Sequence, residues 1–294
     1  MSKARFITFT ALLCTVCFLL TVPARGAQNL TVLKAAQAPT IDGSGDDAAW
    51  GAAKSITVSD ARNKDTVTLK AVVSGDMVYF LVSYPDAEEN NLHKPWVWDK
   101  EMGVYKLGPQ REDGFTFKWN MEPAEVDLSN FSDDSYTADV WYWKAGRTNP
   151  AGYADDKSHV LADEPGKKAK TMKTASGKTK YLMRIGDAGT PAQKKRLLTD
   201  YQGDVQDQYE SQKPEGSRAD VIAKGVWKDG SWTVEFGRKL ETGNSDDVRL
   251  AASPGSRYLF GVSIFGLYGE DVDDSKAHLY GQGRLSEKLY LVFP

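Results

Sequence analysis

Thr66–Tyr84 reads TVTLKAVVSGDMVYFLVSY. Two β-branched and aromatic runs flank Gly75-Asp76, and a short Gly-containing break between such runs is the pattern of a β-hairpin. The same signature recurs along the chain. Leu30–Ala35, Ser55–Ala61, Gly114–Met121 and Ala138–Ala145 are short, rich in Val, Thr, Phe, Tyr and Trp, and bounded by Gly, Asp, Asn or Pro. Val221–Leu240 offers two further strands around Lys228-Asp229-Gly230, followed by Arg257–Gly266 and Glu287–Phe293. Many short strands with no periodic helix between them predict an all-β fold, an antiparallel β-sandwich.

The interval 163–219 breaks this rhythm. It is rich in Lys, Gly, Gln, Asp and Pro and poor in apolar residues, and it contains one helix-like patch, TPAQKKRLLTDYQ (Thr190–Gln202). The expectation is one sandwich domain over 27–294 carrying a long, irregular, partly helical insertion, either an excursion that wraps a binding site or docks a partner or a partly disordered segment.

Residues 1–26 read as a cleavable secretory leader. MSKAR supplies a basic start and FITFTALLCTVCFLLTV an apolar core, followed by Pro23, Ala24, Gly26 and Ala27 where a peptidase needs small residues. A single membrane anchor is the competing reading, and those small residues weigh against it. The expected location is therefore periplasmic or otherwise exported. Cys14 and Cys17, the two cysteines of the chain, both fall in the leader, so the mature chain carries no thiol for a disulfide, a zinc–thiolate site or a covalent haem. Without Lys3, Arg5 and Arg25 the chain has 34 basic and 40 acidic residues, which is the wrong balance for a nucleic-acid binder.

Thr137–Asp156, TADVWYWKAGRTNPAGYADD, concentrates aromatic and polar side chains. In a strand Trp141 and Trp143 share one face while Val140, Tyr142 and Lys144 share the other. The residues by themselves fit two readings, tryptophans packed in the core with Arg147 in a surface ion pair, or tryptophans lining a pocket. APTIDGSGDDAAWGAA (Ala38–Ala53) looks like the opening of family 9-like carbohydrate-binding modules and of haem-binding domains of exported redox proteins, with an Ile41-Asp42-Gly43 turn leading to a buried Trp50.

Together with Gly216–Val248 and Tyr258–Phe265, the Thr137–Asp156 stretch resembles the ethylbenzene-dehydrogenase-type, DMSO-reductase-like haem-binding domain family, over roughly 38–293. The resemblance implies a haem-binding electron-transfer subunit of a periplasmic redox complex, with Trp141, Trp143, Lys144 and Arg147 walling the cofactor pocket. It implies non-covalent haem b, since no C-x-x-C-H occurs in the mature chain. In that family the iron is held by a Met on a middle strand and a Lys before the last strand. Laid on this chain, SKAHLYG puts Lys276 and His278 at the second position, while the Met position falls near Lys118, with Met121 three residues further on; Lys118, Met121 or neither remain open as the other ligand.

His93 and His159 read as exposed loop residues, and the acidic doublets, Asp133-Asp134, Asp155-Asp156, Asp246-Asp247 and Asp273-Asp274, as solvated turns. The run Glu270–Asp274 matches no standard calcium loop. No phosphate loop or nucleophile elbow is present, so no catalytic reaction of its own is expected. The alternatives are a carbohydrate- or ligand-binding module that stacks its ligand on Trp141, Trp143, Trp96 or Trp98, and a haem-free structural subunit.

Overall fold

The hairpin that opens the argument forms as expected. Thr66–Ser74 pairs antiparallel with Met77–Pro85, Ser74 opposite Met77. Gly75 at the turn has φ +61°, while Asp76 keeps a negative φ, which suits a two-residue turn that needs glycine first. The second hairpin turns through Asp229 and Gly230, both left-handed at φ +51° and +78°. The structure, a computed structural model, describes residues 27–59, 66–174, 176–265 and 288–294. The expected leader lies outside the described residues. No helix among those described is long and apolar enough to cross a membrane.

Two sheets dominate. The long sheet has eight strands in the order Gln28–Thr31, Leu289–Val292, Arg257–Ile264, Gly114–Asn120, Tyr136–Lys144, Asp155–Ala162, Thr179–Gly186 and Lys170–Lys173. The second sheet, of six strands, runs Ile222–Lys228, Ser231–Lys239, Met77–Pro85, Thr66–Ser74 and Leu33–Lys34, with Ile56–Ser59 also paired to Thr66–Ser74. Pairing within both is antiparallel except where Gln28–Thr31 runs alongside Leu289–Val292 and Leu33–Lys34 alongside Thr66–Ser74.

Aromatic side chains from the two sheets meet between them. Phe80 lies 4.9 Å from Phe117, and Trp143 lies 4.8 Å from Trp232, edge to face. Trp119 packs at 4.9 Å on both Trp141 and Phe260. Offset and edge-on contacts of this kind add to the area each ring buries. The outer face of the long sheet carries a second apolar cluster around Leu128, Tyr136, Val140 and Leu161. A strand buried on both faces loses the apolar–polar alternation that would tell its inner side from its outer.

The Ile41-Asp42-Gly43 turn is strapped to the outer face of the second sheet by one carboxylate. Glu235, fully buried, accepts from Gly43 N at 2.7 Å, Asp42 N at 3.1 Å and Trp50 Nε1 at 2.8 Å. Gly43 is required here. Its φ is +86°, and a Cβ would come within 2.9 Å of Val226 and 3.0 Å of the Gly225 backbone. Glu235→Ala orphans three donors, two of them buried, and is expected to cost about 2–4 kcal/mol. Urea unfolding of the variant checks this, and a loss under about 1 kcal/mol contradicts it.

Residues 163–219 depart from the expectation. Lys170–Lys173 and Thr179–Gly186 are strands of the long sheet, not insertion. The patch 190–202 contains no helix. Gln193–Lys195 pairs instead with Tyr209–Ser211, and Gly189–Thr190 with Glu215–Gly216. The physical reason is visible in the residues: Leu197 is 85% exposed, so there is no apolar stripe to hold a helix against the body. Val205–Gln206 then joins Trp96–Asp99 and Val104–Leu107 in a three-stranded sheet.

Candidate functional site

Strand alternation sorts the outer face of the long sheet into a polar floor. Directly opposed residues share a face. Lys118 opposes Val140, which opposes Lys157; Thr116 opposes Tyr142, which opposes Asp155; and His159 opposes Arg184. All of these side chains except Asp155 floor a cavity of about 260 Å³. Loop residues His93, Arg111, Glu112 and Arg147 wall one side, and Ser263 and Phe265 the other.

The cavity is strongly cationic. Arg111, Lys118, Lys144, Arg147, Lys157 and Arg184 line it. Glu112 is committed to its own wall, accepting from Gly146 N at 2.9 Å and Arg147 N at 2.8 Å and pairing with the Arg147 guanidinium. Asp155 bridges Lys144 and Lys157, each at 2.5 Å. Burial pushes the Asp155 carboxyl up, but the ammonium groups of Lys144 and Lys157 outweigh it and hold the group below the ordinary carboxylate range.

His159 is the unusual member. Its ring is buried, and Nδ1 has no hydrogen-bond partner. Burial first, then Lys118, Arg184 and Lys157, hold its pKa well below the ordinary histidine range, so the imidazole is neutral. A neutral imidazole with an uncommitted nitrogen is the form that ligates a metal. Burial and then Arg147 and Arg111 lower His93 in the same way.

The structure redistributes the residues expected at the site. Lys144 and Arg147 line the cavity, but Trp141 and Trp143 do not. Both are fully buried on the inner face, because the face they share points between the sheets. The same burial removes them as platforms for a sugar. Trp98 is packed edge-on against Tyr105 at 5.0 Å and Tyr201 at 5.2 Å in the small sheet, and the Trp96 indole N–H donates to Arg196 O at 3.2 Å.

Lys118 lines the cavity with its ammonium tied down. It donates to Leu128 O at 2.7 Å, Asn130 Oδ1 at 2.9 Å and the Tyr136 hydroxyl at 2.5 Å. Burial and then Arg184 hold its pKa well below the ordinary lysine range, and all three partners lie in the segment 128–136. Met121 follows the end of the Gly114–Asn120 strand and is not among the lining residues. Lys276 and His278 lie outside the described residues. His159, read as an exposed loop residue, is buried on the Asp155–Ala162 strand at the cavity, and His93 does lie in a loop but is only partly exposed, at the cavity wall. The spacing Asp155, Lys157, His159, two positions apart each time, is the signal that a strand face carries all three.

Residues 29–283 match a family described as ethylbenzene dehydrogenase. The chain belongs to the ethylbenzene dehydrogenase family. Ethylbenzene dehydrogenase family domains occur in haem-binding subunits of redox enzymes, and such a domain implies the context of an oxidoreductase complex. Two solved structures of a carbohydrate binding module family 9 from Caldicellulosiruptor kristjanssonii are similar to 90% of this chain at 11% identity. The one in complex with glucose is covered over 83% of its length at a TM-score of 0.38, and the one with cellotriose over 82% at 0.36. Curated protein sequences provided no match.

Proposed function

We infer that this ethylbenzene dehydrogenase family member is an exported electron-transfer subunit that binds haem b non-covalently at the outer-face cavity and carries out no reaction of its own. The observation that carries the reading is the neutral, buried His159 with an unpartnered nitrogen, set among six Lys and Arg side chains. Haem is an apolar disc with two propionates and an iron that takes imidazole as an axial ligand. Val140, Tyr142 and Phe265 offer the disc apolar surface, Arg147, Arg184 and Lys157 offer the propionates charge-assisted contacts, and His159 offers the ligand. The described walls enclose about 260 Å³. Phe265 at their rim is the last described residue before 266–287, which carries Lys276 and His278, the ligands implied by resemblance.

Bound haem supplies one-electron chemistry, and the protein sets its potential through ligand identity, burial and nearby charge. Positive charge beside a bound haem would favour its reduced, less positive iron, and Asp155, paired with Lys144 and Lys157, together with Glu112, paired with Arg147, would offset part of that effect. A periplasmic redox partner takes or gives the electron, after the leader 1–26 directs export.

The test is the absorption spectrum of the mature protein, expressed to the periplasm with ample haem, oxidised and dithionite-reduced, with a pyridine haemochrome assay. Wild type is expected to give a b-type spectrum, and His159→Ala to lose it or shift to high spin. A colourless protein that takes up no added haem overturns the function. A b-type spectrum untouched by His159→Ala but abolished by His278→Ala keeps haem and overturns the assignment of His159.

A further inference from the structure

On the inner face, behind the cavity floor, lies a second constellation. Asp156 opposes Trp141 across the strand pair, so it points between the sheets, while its neighbour Asp155 points to the cavity. Asp139, also on the inner face, opposes Ser158. Asp247 enters from the segment after Ser231–Lys239. One oxygen from each of these three buried carboxylates lies within 4.8 Å of the other two. Calcium–oxygen bonds are about 2.3–2.6 Å, so two ligands of one ion stand at most about 5 Å apart.

The hydrogen bonds show which oxygens are already used. Asp139 Oδ2 accepts from Trp141 Nε1 at 3.1 Å and Val248 N at 3.0 Å. Asp247 Oδ2 accepts from the Thr242 hydroxyl and faces the Arg238 guanidinium at 3.2 Å. Asp139 Oδ1, Asp247 Oδ1 and both oxygens of Asp156 are buried with no partner at all. Asp156 is fully buried, so an entire carboxylate is aimed into the cluster with nothing to satisfy it. Leaving such a group unpaired costs several kcal/mol, on the order of an uncompensated buried ion.

We propose that Asp139, Asp156 and Asp247 form a buried structural site for a divalent calcium-class cation at the interface of the two sheets. Three carboxylates against the one guanidinium of Arg238 leave two negative charges, the charge of one such ion. An all-oxygen donor set, with no imidazole or thiolate in the group, selects hard cations over zinc or copper. Carboxylates buried away from solvent suit calcium better than magnesium, which dehydrates reluctantly and keeps several waters. Asp187, with Oδ2 unpartnered and its charge felt at Asp156, adds to the negative field on the same side. The site stands apart from the haem reading and does not depend on it.

The experiment uses the full-length mature protein. Metal content is measured by mass spectrometry after dialysis against chelator-free buffer, and thermal unfolding at pH 7.5 is followed in chelator, in magnesium and in calcium, for wild type and Asp156→Asn. About one calcium per chain is expected, with a saturable rise in Tm of several degrees, a smaller response to magnesium, and a calcium midpoint at least roughly tenfold higher in the variant. No bound metal, with one Tm in chelator and calcium alike, overturns the site. In that case protons neutralise the cluster, and Asp156→Asn raises Tm at pH 7.5. Should Asp156→Asn fail to fold, Asp247→Asn gives the same comparison.

Discussion

Arg238→Ala is expected to lower stability by about 3–5 kcal/mol in chelator at pH 7.5, because it strips the compensating cation from a set of buried carboxylates. Arg238 is itself fully buried. Its guanidinium stands 3.2 Å from Asp247 and 3.7 Å from Asp139, donates to Val248 O at 2.8 Å, and lies over the Trp141 ring at 5.1 Å. Truncation removes all of these and opens a cavity beside Trp141.

The loss should shrink as pH falls. Burial drives Asp139 up to about 6 even with Arg238 opposing it, and burial with Asp139 and Asp246 drives Asp187 up to about 7. Asp220 is raised by burial to about 6. A carboxyl whose folded pKa exceeds its unfolded value binds more protons when folded, so its contribution to stability falls as pH rises from about 4 to about 7. Without Arg238 that slope steepens. His93 and His159, whose lowered pKa values favour higher pH, are common to both proteins and cancel in the difference. Urea melts of both proteins from pH 5 to 7.5 read the result, and a pH-independent difference contradicts it.

Lys118→Met is expected to cost about 2–4 kcal/mol. The substitution keeps the length of the side chain but removes every N–H. Leu128 O and Asn130 Oδ1 lose a buried donor, and Tyr136, whose hydroxyl also lies 3.1 Å from Ser129 O, is left to serve the same loop alone. The segment that covers the outer apolar cluster should loosen first. Faster amide exchange at Leu128 and Ser132, with little change at Val234 in the second sheet, is the expected pattern. Uniform loss of protection would mean that Lys118 supports the whole sandwich rather than this cover.

The hairpins and the sandwich were legible because Gly75-Asp76 and Asp229-Gly230 are turn residues with a mechanism, and because no helical period interrupts the strands. The orientation of Ala138–Ala145 was not. Its two faces both carry apolar side chains, since Val140 packs under the outer cluster and Trp141 in the main core. Alternation defines two faces but not which one meets the other sheet, so the tryptophans fell on the wrong side of the pocket. Asp155-Asp156-Lys157 reads as polar and hence as a turn. It is a strand whose polarity is used twice, outward at the cavity and inward among the carboxylates. The patch at 190–202 had helix formers but no buried stripe, and only the partner strand at Tyr209–Ser211 decides its conformation.

The parallel pairing of Gln28–Thr31 with Leu289–Val292 has a kinetic meaning. It closes a loop of about 260 residues, for which the entropy of closure must be met before any contact at that edge forms. The first strand has no neighbour in the long sheet until the last four-residue strand arrives. A growing chain therefore cannot complete this sheet from its N-terminal end, and topology of such high contact order makes for slow folding. That edge of the sheet therefore stays open until residues 289–292 have been synthesised.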